Sequence, residues 1–289
     1  MQKLCNNCPN SCSVDRSINL GHCGVSNKIK LARAGLHFGE EPCISGTKGS
    51  GTIFFSGCSL KCVMCQNYEI SHLCHGKDID TNRFVKIMQD LEDAGAHNIN
   101  FVTPTHYFTS IKDVLNQYKP NIPLVYNSSG YDNVQNIKED LFDIYLFDLK
   151  YFSSEKSLRY SNCENYFDIA SNVIKTAYNT VGKPIFDEYG MLKRGVVVRH
   201  LILPSNTNDS IKIIEWLNEN TPNIIFSLMS QYVPMYKANE YPEINRKITK
   251  REYNKVLSKC FEYNFYETYI QDLSSATKEF IPSFDLTGV

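Results

Sequence analysis

From residue 52 onward, short runs rich in β-branched and aromatic residues alternate with amphipathic stretches of helical period. That alternation limits the architecture more than any other feature. Strands are expected at 52–56, 98–102, 124–127, 143–149, 196–203 and 224–231, with a last one at 267–270. Between them, Phe84, Ile87, Met88 and Leu91 fall on one helical face. A later segment opens with the capping pair Thr249 and Glu252 and continues with Tyr253, Val256, Leu257, Cys260 and Phe261 at helical spacing. Several strands are nearly all apolar, as when helices cover both faces of a parallel sheet. The rhythm therefore predicts the α/β class, as either a βα barrel or an open parallel sheet. Both place functional groups at the C-terminal ends of strands. A chain of 289 residues has room for one such domain and a small appendage.

Cysteine usage divides the chain. Nine of the eleven cysteines lie at or before Cys74, leaving only Cys163 and Cys260 beyond it. Residues 1–50 lack the strand–helix rhythm and run into the glycine-rich Gly46-Thr-Lys-Gly-Ser-Gly51. The expected division is a Cys-rich, metal-binding extension at 1–50 and the βα domain at 51–289. A formal net charge of -1 gives no global attraction to nucleic acid or to an anionic membrane. The N-terminus carries no apolar core of signal-peptide length, and no run approaches the roughly 18 apolar residues that span a bilayer. These features predict a cytoplasmic location, where thiols serve metal or redox chemistry more readily than disulfides.

The segment with the most chemical content is Thr52-Ile-Phe-Phe-Ser-Gly-Cys58-Ser-Leu-Lys-Cys62-Val-Met-Cys65-Gln-Asn67. An apolar strand ends at Gly57, and three thiols follow at C-x3-C-x2-C. Thiolates hold iron–sulfur clusters, and three of them on a four-iron cube leave one iron open to another ligand. The competing reading is a zinc site, for which His72 or Cys74 would supply a fourth ligand. Further upstream, Cys5, Cys8, Cys12 and Cys23 form C-x2-C-x3-C-x10-C. Four thiolates make a closed coordination sphere suited to structural zinc or to an auxiliary cluster. Cys43 and Cys74 are spare ligands. Cys260 lies in an apolar stripe and reads as core, and Cys163 has no partner nearby.

The string Ser56-Gly-Cys-Ser-Leu-Lys-Cys-Val-Met-Cys-Gln-Asn67 resembles the radical S-adenosylmethionine (SAM) superfamily, in its pyruvate formate-lyase activating enzyme branch. Glu40-Glu-Pro-Cys-Ile-Ser-Gly46 and Val102-Thr-Pro-Thr-His-Tyr107 narrow the resemblance to PflX-type homologues. It runs over nearly the whole chain, N-terminal extension included. The resemblance implies a partial (βα)6 barrel, a [4Fe-4S] cluster on Cys58, Cys62 and Cys65, and SAM chelated to the open iron. It implies reductive cleavage to a 5′-deoxyadenosyl radical that abstracts hydrogen, with an electron from a reductant such as flavodoxin or ferredoxin. Activating enzymes act on the backbone of a protein partner, whereas other relatives modify peptides or small molecules. A reading from another class is a metal-stapled or ferredoxin-like electron-transfer protein, but such carriers normally ligate each cluster with four thiolates.

The resemblance also names cofactor contacts, with Asn67 closing the cluster motif. Where activating enzymes hold the SAM amino group with a Gly-Gly-Glu type motif, this chain has Thr103-Pro104-Thr105-His106. Thr103 and Thr105 still offer oxygens to an ammonium, and His106 reads either as a loop histidine or as a catalytic candidate. Asn127-Ser128-Ser129-Gly130 resembles the family's Asp-Thr-Asn-Gly turn, and Asp148-Leu149-Lys150 its Asp-Leu-Lys. Asp148 and Lys150 share a side by strand alternation. The resemblance directs them at the SAM ribose and groups Asp148, Asn127 and Ser128 around a monovalent cation; a simple ion pair is the alternative. Arg199, in an otherwise apolar strand, needs an anion, either the SAM carboxylate or a structural one. His200 faces the opposite way. Gln231-Tyr232 stands where activating enzymes carry a histidine near the adenosine.

Overall fold

The computed structural model describes residues 4–277, 279 and 281–289. The chain is a mixed α/β protein around one large, mostly parallel sheet. Strand β1 (Lys30–His37), the short helix α1 (Pro42–Ser45), β2 (Ser50–Phe55), α2 (Tyr68–Ser71) and β3 (Lys77–Asp78) come first. Alternation follows with α3 (Thr81–Asp93), β4 (Ile99–Val102), α4 (Phe108–Leu115), β5 (Leu124–Ser128), α5 (Val134–Lys138) and β6 (Ile144–Asp148). Helices α6 (Ser154–Ser161) and α7 (Tyr166–Val181) lead to β7 (Ile185–Phe186) and β8 (Leu192–Leu201). The chain then runs through α8 (Thr207–Asn220), β9 (Ile225–Met229), α9 (Lys250–Cys260) and β10 (Glu267–Ile270).

The sheet order is β10-β9-β8-β6-β5-β4-β2-β1-β3, with β7 paired to β8 alone. Strands β2, β4, β5, β6, β8, β9 and β10 are mutually parallel, while β1 runs antiparallel to β2 and to β3. All seven expected strands are present, shifted by a few residues at most ends. The exception to the expected layout is β1. It belongs to the sheet, so the boundary expected at residue 50 falls inside one continuous structure.

Alternation along the strands separates two environments. On one face, Phe55, Phe101, Tyr145, Phe147, Val196, Val198, Phe226 and Leu228 are buried against the helices. Phe84, Ile87, Met88 and Leu91 of α3 are all buried there, as their spacing predicts. Helix α9 starts with the expected capping box, Thr249 and Glu252 satisfying each other's backbone N–H groups. On the opposite face, Val125, Ile144, Leu146, Val197 and Ile225 form a small apolar cluster that Cys43 and Ile44 of α1 plug. One cavity of about 540 Å³ opens above this plug. Seven flat strands at about 4.8 Å spacing would span about 29 Å. Yet residues of both β2 and β10 line that one cavity, so the sheet curls around it. The curl leaves β10 and β3 as the two ends of the strand order. Among the described residues, no helix is long and apolar enough to cross a membrane.

Candidate functional site

The cavity sits at the C-terminal ends of the parallel strands, where they deliver polar side chains to a common space. Strand β2 ends and Gly57 turns the chain into the three-cysteine loop. Gly57 has φ +86°, and a Cβ there would stand 2.9 Å from the Cys23 carbonyl oxygen and 2.9 Å from Val25. Only glycine fits without moving the backbone. The loop that follows brings Cys58, Cys62 and Cys65 to the cavity wall. The Leu60 N–H donates to Cys58 Sγ at 3.4 Å, and Ser71 Oγ donates to Cys65 Sγ at 3.2 Å. Burial and the neighbouring thiols push the Cys58 thiol up and the Cys65 thiol to about 12. Each would therefore need a strongly electropositive centre to become a thiolate ligand.

The donor set fits an iron–sulfur cube. A cube takes one thiolate per iron and so accepts thiols spread along a loop. Among the described residues, no three His, Cys, Asp or Glu side chains are drawn together as ligands of a single ion. Asn67, the N-cap position of α2, lines the same wall, and its Oδ1 is buried without a partner.

Opposite the thiols, inward positions of successive strands form a charged network. Lys150 Nζ donates to Asp148 Oδ2 at 2.9 Å, and Arg199 Nε to Asp148 Oδ1 at 2.7 Å. Arg199 also donates to Asn127 Oδ1 at 3.0 Å and to Glu40 Oε2 at 2.7 Å. Glu40 Oε1 accepts from Asn100 at 3.1 Å and from Asn127 at 3.3 Å. Burial opposes ionisation of Asp148, but the Arg199 and Lys150 charges outweigh it and hold the carboxyl at about 2. Burial likewise opposes the charge on Lys150, and Asp148 followed by the Cys62 thiol more than restores it.

The expected site residues divide into two groups. Cys58, Cys62, Cys65, Asn67, Thr103, Asn127, Ser128, Asp148, Lys150 and Arg199 line the one cavity. Thr103 does so at φ +63°, a left-handed conformation that is costly for a β-branched side chain. Thr105 and His106 do not reach the lining. Thr105 is buried with its hydroxyl against Tyr126 and Asp132. His106 is buried behind the loop, where Nε2 bonds the Ser56 carbonyl at 2.9 Å and burial drives its pKa to about 3. It buttresses the end of β2 and stands away from the space a reactant would occupy.

Nor do Asn127, Ser128 and Asp148 converge on a cation. Asn127 and Asp148 accept from Arg199, and Ser128 donates to Asp132. The anion that Arg199 requires is structural. It is supplied by Asp148 and by Glu40, a residue the sequence pattern did not single out. The signal for Glu40 was available as a lone arginine in an apolar strand and two acidic residues just upstream of the cluster loop.

The N-terminal cysteines gather beside the three-cysteine loop. Cys8 and Cys23 are buried. Burial pushes the Cys8 thiol to about 11, with Cys23, Cys5 and Cys12 near enough to raise it further. The Cys58 N–H donates to the Cys23 carbonyl at 3.3 Å, and Asn10 Nδ2 donates to the Ser59 carbonyl at 2.7 Å. Cys74 lies next to this group, with its Sγ 3.9 Å from the Cys23 carbonyl. Cys43 is in the plug beneath the cavity, away from both cysteine groups.

Residues 45–159, which contain the three-cysteine loop, match the 4Fe-4S single cluster domain family. The chain is also 35% identical over 274 residues to the uncharacterized protein MJ0674 of Methanocaldococcus jannaschii, covering 91% of this chain and 75% of that protein. With residues 45–159 matching a 4Fe-4S cluster domain, the chain belongs to the same protein family as MJ0674.

Proposed function

We propose that the chain is a radical SAM enzyme. In this reading Cys58, Cys62 and Cys65 hold the [4Fe-4S] cluster, and SAM occupies the cavity between those thiols and the Asp148–Lys150 pair. One observation carries the reading. Three half-buried thiols at a strand end open onto the same 540 Å³ cavity as a fixed, fully charged Asp148–Lys150–Arg199 network. That volume lies within the range of pockets for drug-sized ligands. The six units that begin with β2, β4, β5, β6, β8 and β9, each followed by helix and curled around one cavity, support a partial (βα)6 barrel.

Bound together, cluster and SAM supply a one-electron cleavage that yields a 5′-deoxyadenosyl radical able to take hydrogen from a substrate. The chain's own residues bind, orient and shield. Three thiolates leave one iron for SAM. Asp148, kept ionised, accepts from ribose hydroxyls, and Lys150 donates beside it. Asn67 Oδ1 supplies a free acceptor next to the cluster loop. Phe54, Met64, Leu201, Met229 and Tyr232 give an apolar wall that keeps water from a reactive intermediate. A flavodoxin or ferredoxin is the proposed reductant, and a protein, a peptide or a small molecule the proposed substrate. Cys5, Cys8, Cys12 and Cys23 are proposed to hold a second metal, either an iron–sulfur cluster or, with the thiols drawn closer together than they stand here, zinc.

Anaerobic reconstitution with iron and sulfide, followed by dithionite and SAM, tests the reading. The expected products are 5′-deoxyadenosine and methionine, abolished in Cys62→Ala. Turnover persisting in that variant would remove the cluster assignment. Iron and zinc counts in Cys8→Ala and Cys62→Ala assign the two cysteine groups separately.

A further inference from the structure

The floor of the cavity is carried by the segment that contains α1. Cys43 and Ile44 plug the apolar end of the curled sheet, and the two residues before the helix, Glu40 and Glu41, rise into the polar layer above. The two carboxylates differ in how far they are used. Glu40 accepts from Arg199, Asn100 and Asn127. The Glu41 side chain is only 7% exposed, and its Oε2 has no hydrogen-bond partner. Its nearest cation is Arg199 at 3.8 Å, whose donors already serve Asp148, Glu40 and Asn127. The Ser227 hydroxyl lies against the Glu41 carboxyl. Tyr269, Arg199 and Ser227 line the cavity with it.

The charges in this layer show what is missing. Arg199 and Lys150 balance Asp148 and Glu40, and Glu41 is the surplus acid. Burial pushes its carboxyl up, against the pull of Arg199 and with the help of Glu40. A buried carboxyl oxygen without a partner is costly unless something enters to satisfy it.

We propose that Glu41 is the anchor for a primary ammonium group, so that the cavity takes an amine-bearing ligand. A guanidinium is best met by two carboxylate oxygens side by side, whereas Oε2 alone is buried here without a partner. Divalent cations require several oxygen ligands, and Glu41 offers one unpartnered oxygen here. An ammonium is a compact single charge with three donors, which matches the one unpartnered oxygen, Glu41 Oε2, beside the Ser227 hydroxyl. Two sources share this chemistry: the α-ammonium of SAM itself, or an amine on the substrate. The site stands on the geometry of Glu41, so its test can fail independently of the radical reading.

The test compares wild type with Glu41→Gln, which mimics the neutral acid and keeps the fold; ligand-free melting curves check that it does. n-Butylamine at pH 8, with n-butanol as the uncharged control, is titrated against the full chain by thermal shift. SAM and 5′-methylthioadenosine, which lacks the amino acid portion, are titrated by anaerobic equilibrium dialysis on reconstituted protein. A tenfold or greater loss of butylammonium binding in the variant with SAM unchanged assigns the site to a substrate amine. A tenfold or greater loss of SAM binding with methylthioadenosine unchanged assigns it to the cofactor's own ammonium. If the variant binds both butylamine and SAM as wild type does, or if wild type binds butylamine no better than butanol and SAM binding is unaffected, the proposal is overturned.

Discussion

Replacing Arg199 by Met, a side chain of similar length without charge, is expected to destabilise the ligand-free protein strongly. The guanidinium engages three neighbours, Asp148 at 2.7 Å, Glu40 at 2.7 Å and Asn127 at 3.0 Å. Removing one partner from a buried charge pair costs about 3–5 kcal/mol, because the other charge is left stranded. The lower end applies here. Asp148 is 29% exposed and keeps Lys150, so the stranding falls mainly on Glu40, whose side chain is 8% exposed. A loss of about 3 kcal/mol corresponds to a melting midpoint lower by about 6–12 °C for a chain of this size.

Adding Glu40→Gln to the Arg199→Met variant removes the stranded charge and should return about 1–2 kcal/mol, the sign of coupling in a double-mutant cycle. The effect also has a pH signature. Asp148 is held at about 2 in the folded protein against about 3.9 for an ordinary aspartate. A depressed value stabilises above about pH 4 and is lost as pH falls towards 2. The gap between wild type and Arg199→Met should therefore narrow over that interval. Urea denaturation of metal-free protein, followed by circular dichroism, measures all three quantities. A single-mutant loss under about 0.5 kcal/mol, typical of an exposed pair, would refute the argument that this network is buried and coupled.

Two further outcomes are expected. Thr103→Gly relieves a left-handed conformation worth about 1–2 kcal/mol, less the entropy that glycine adds to the unfolded chain. It should therefore raise stability by about 0.5–1 kcal/mol, whereas Thr103→Val should not; melting curves of the two variants decide, and a destabilised glycine variant contradicts the strain. Gly57→Ala forces a Cβ onto the Cys23 carbonyl and Val25, and should cost about 1–3 kcal/mol and lower iron loading on reconstitution; unchanged iron content and melting point would contradict it.

What the sequence disclosed follows from how local each signal is. The buried face of α3 and the capping box of α9 are written within a dozen residues each, and both stand as expected. The parallel strands were visible as runs of Val, Ile, Leu and Phe buried on both faces. Strand β1 was hidden because Ala32, Ala34 and Gly35 have weak strand preference and no clean alternation. That Asp148 and Lys150 share a side followed from period-two alternation, whereas the pairing of Arg199 with Asp148 is seen only in the structure. Glu40 and Glu41 left a trace in the sequence, an arginine in need of an anion and two acids upstream of the cluster loop, but no local pattern joins the two. They reach the cavity only because the segment around α1 tucks beneath the curled sheet, a contact some 60 to 160 residues distant in sequence. His106 misled for the opposite reason. Its position after a strand end suggested exposure to the cavity, but the short helical turn at 105–107 rotates it under the loop instead.

That tucked segment separates two tasks that a single set of strands would otherwise share. The thiols and the Asp148–Lys150 pair are fixed by strand ends, while the base of the chamber rests on a few residues threaded in from outside the parallel array. Drift in those few residues reshapes the chamber and resets its charge without disturbing the scaffold, so relatives with the same thiol loop are free to diverge in what they accept.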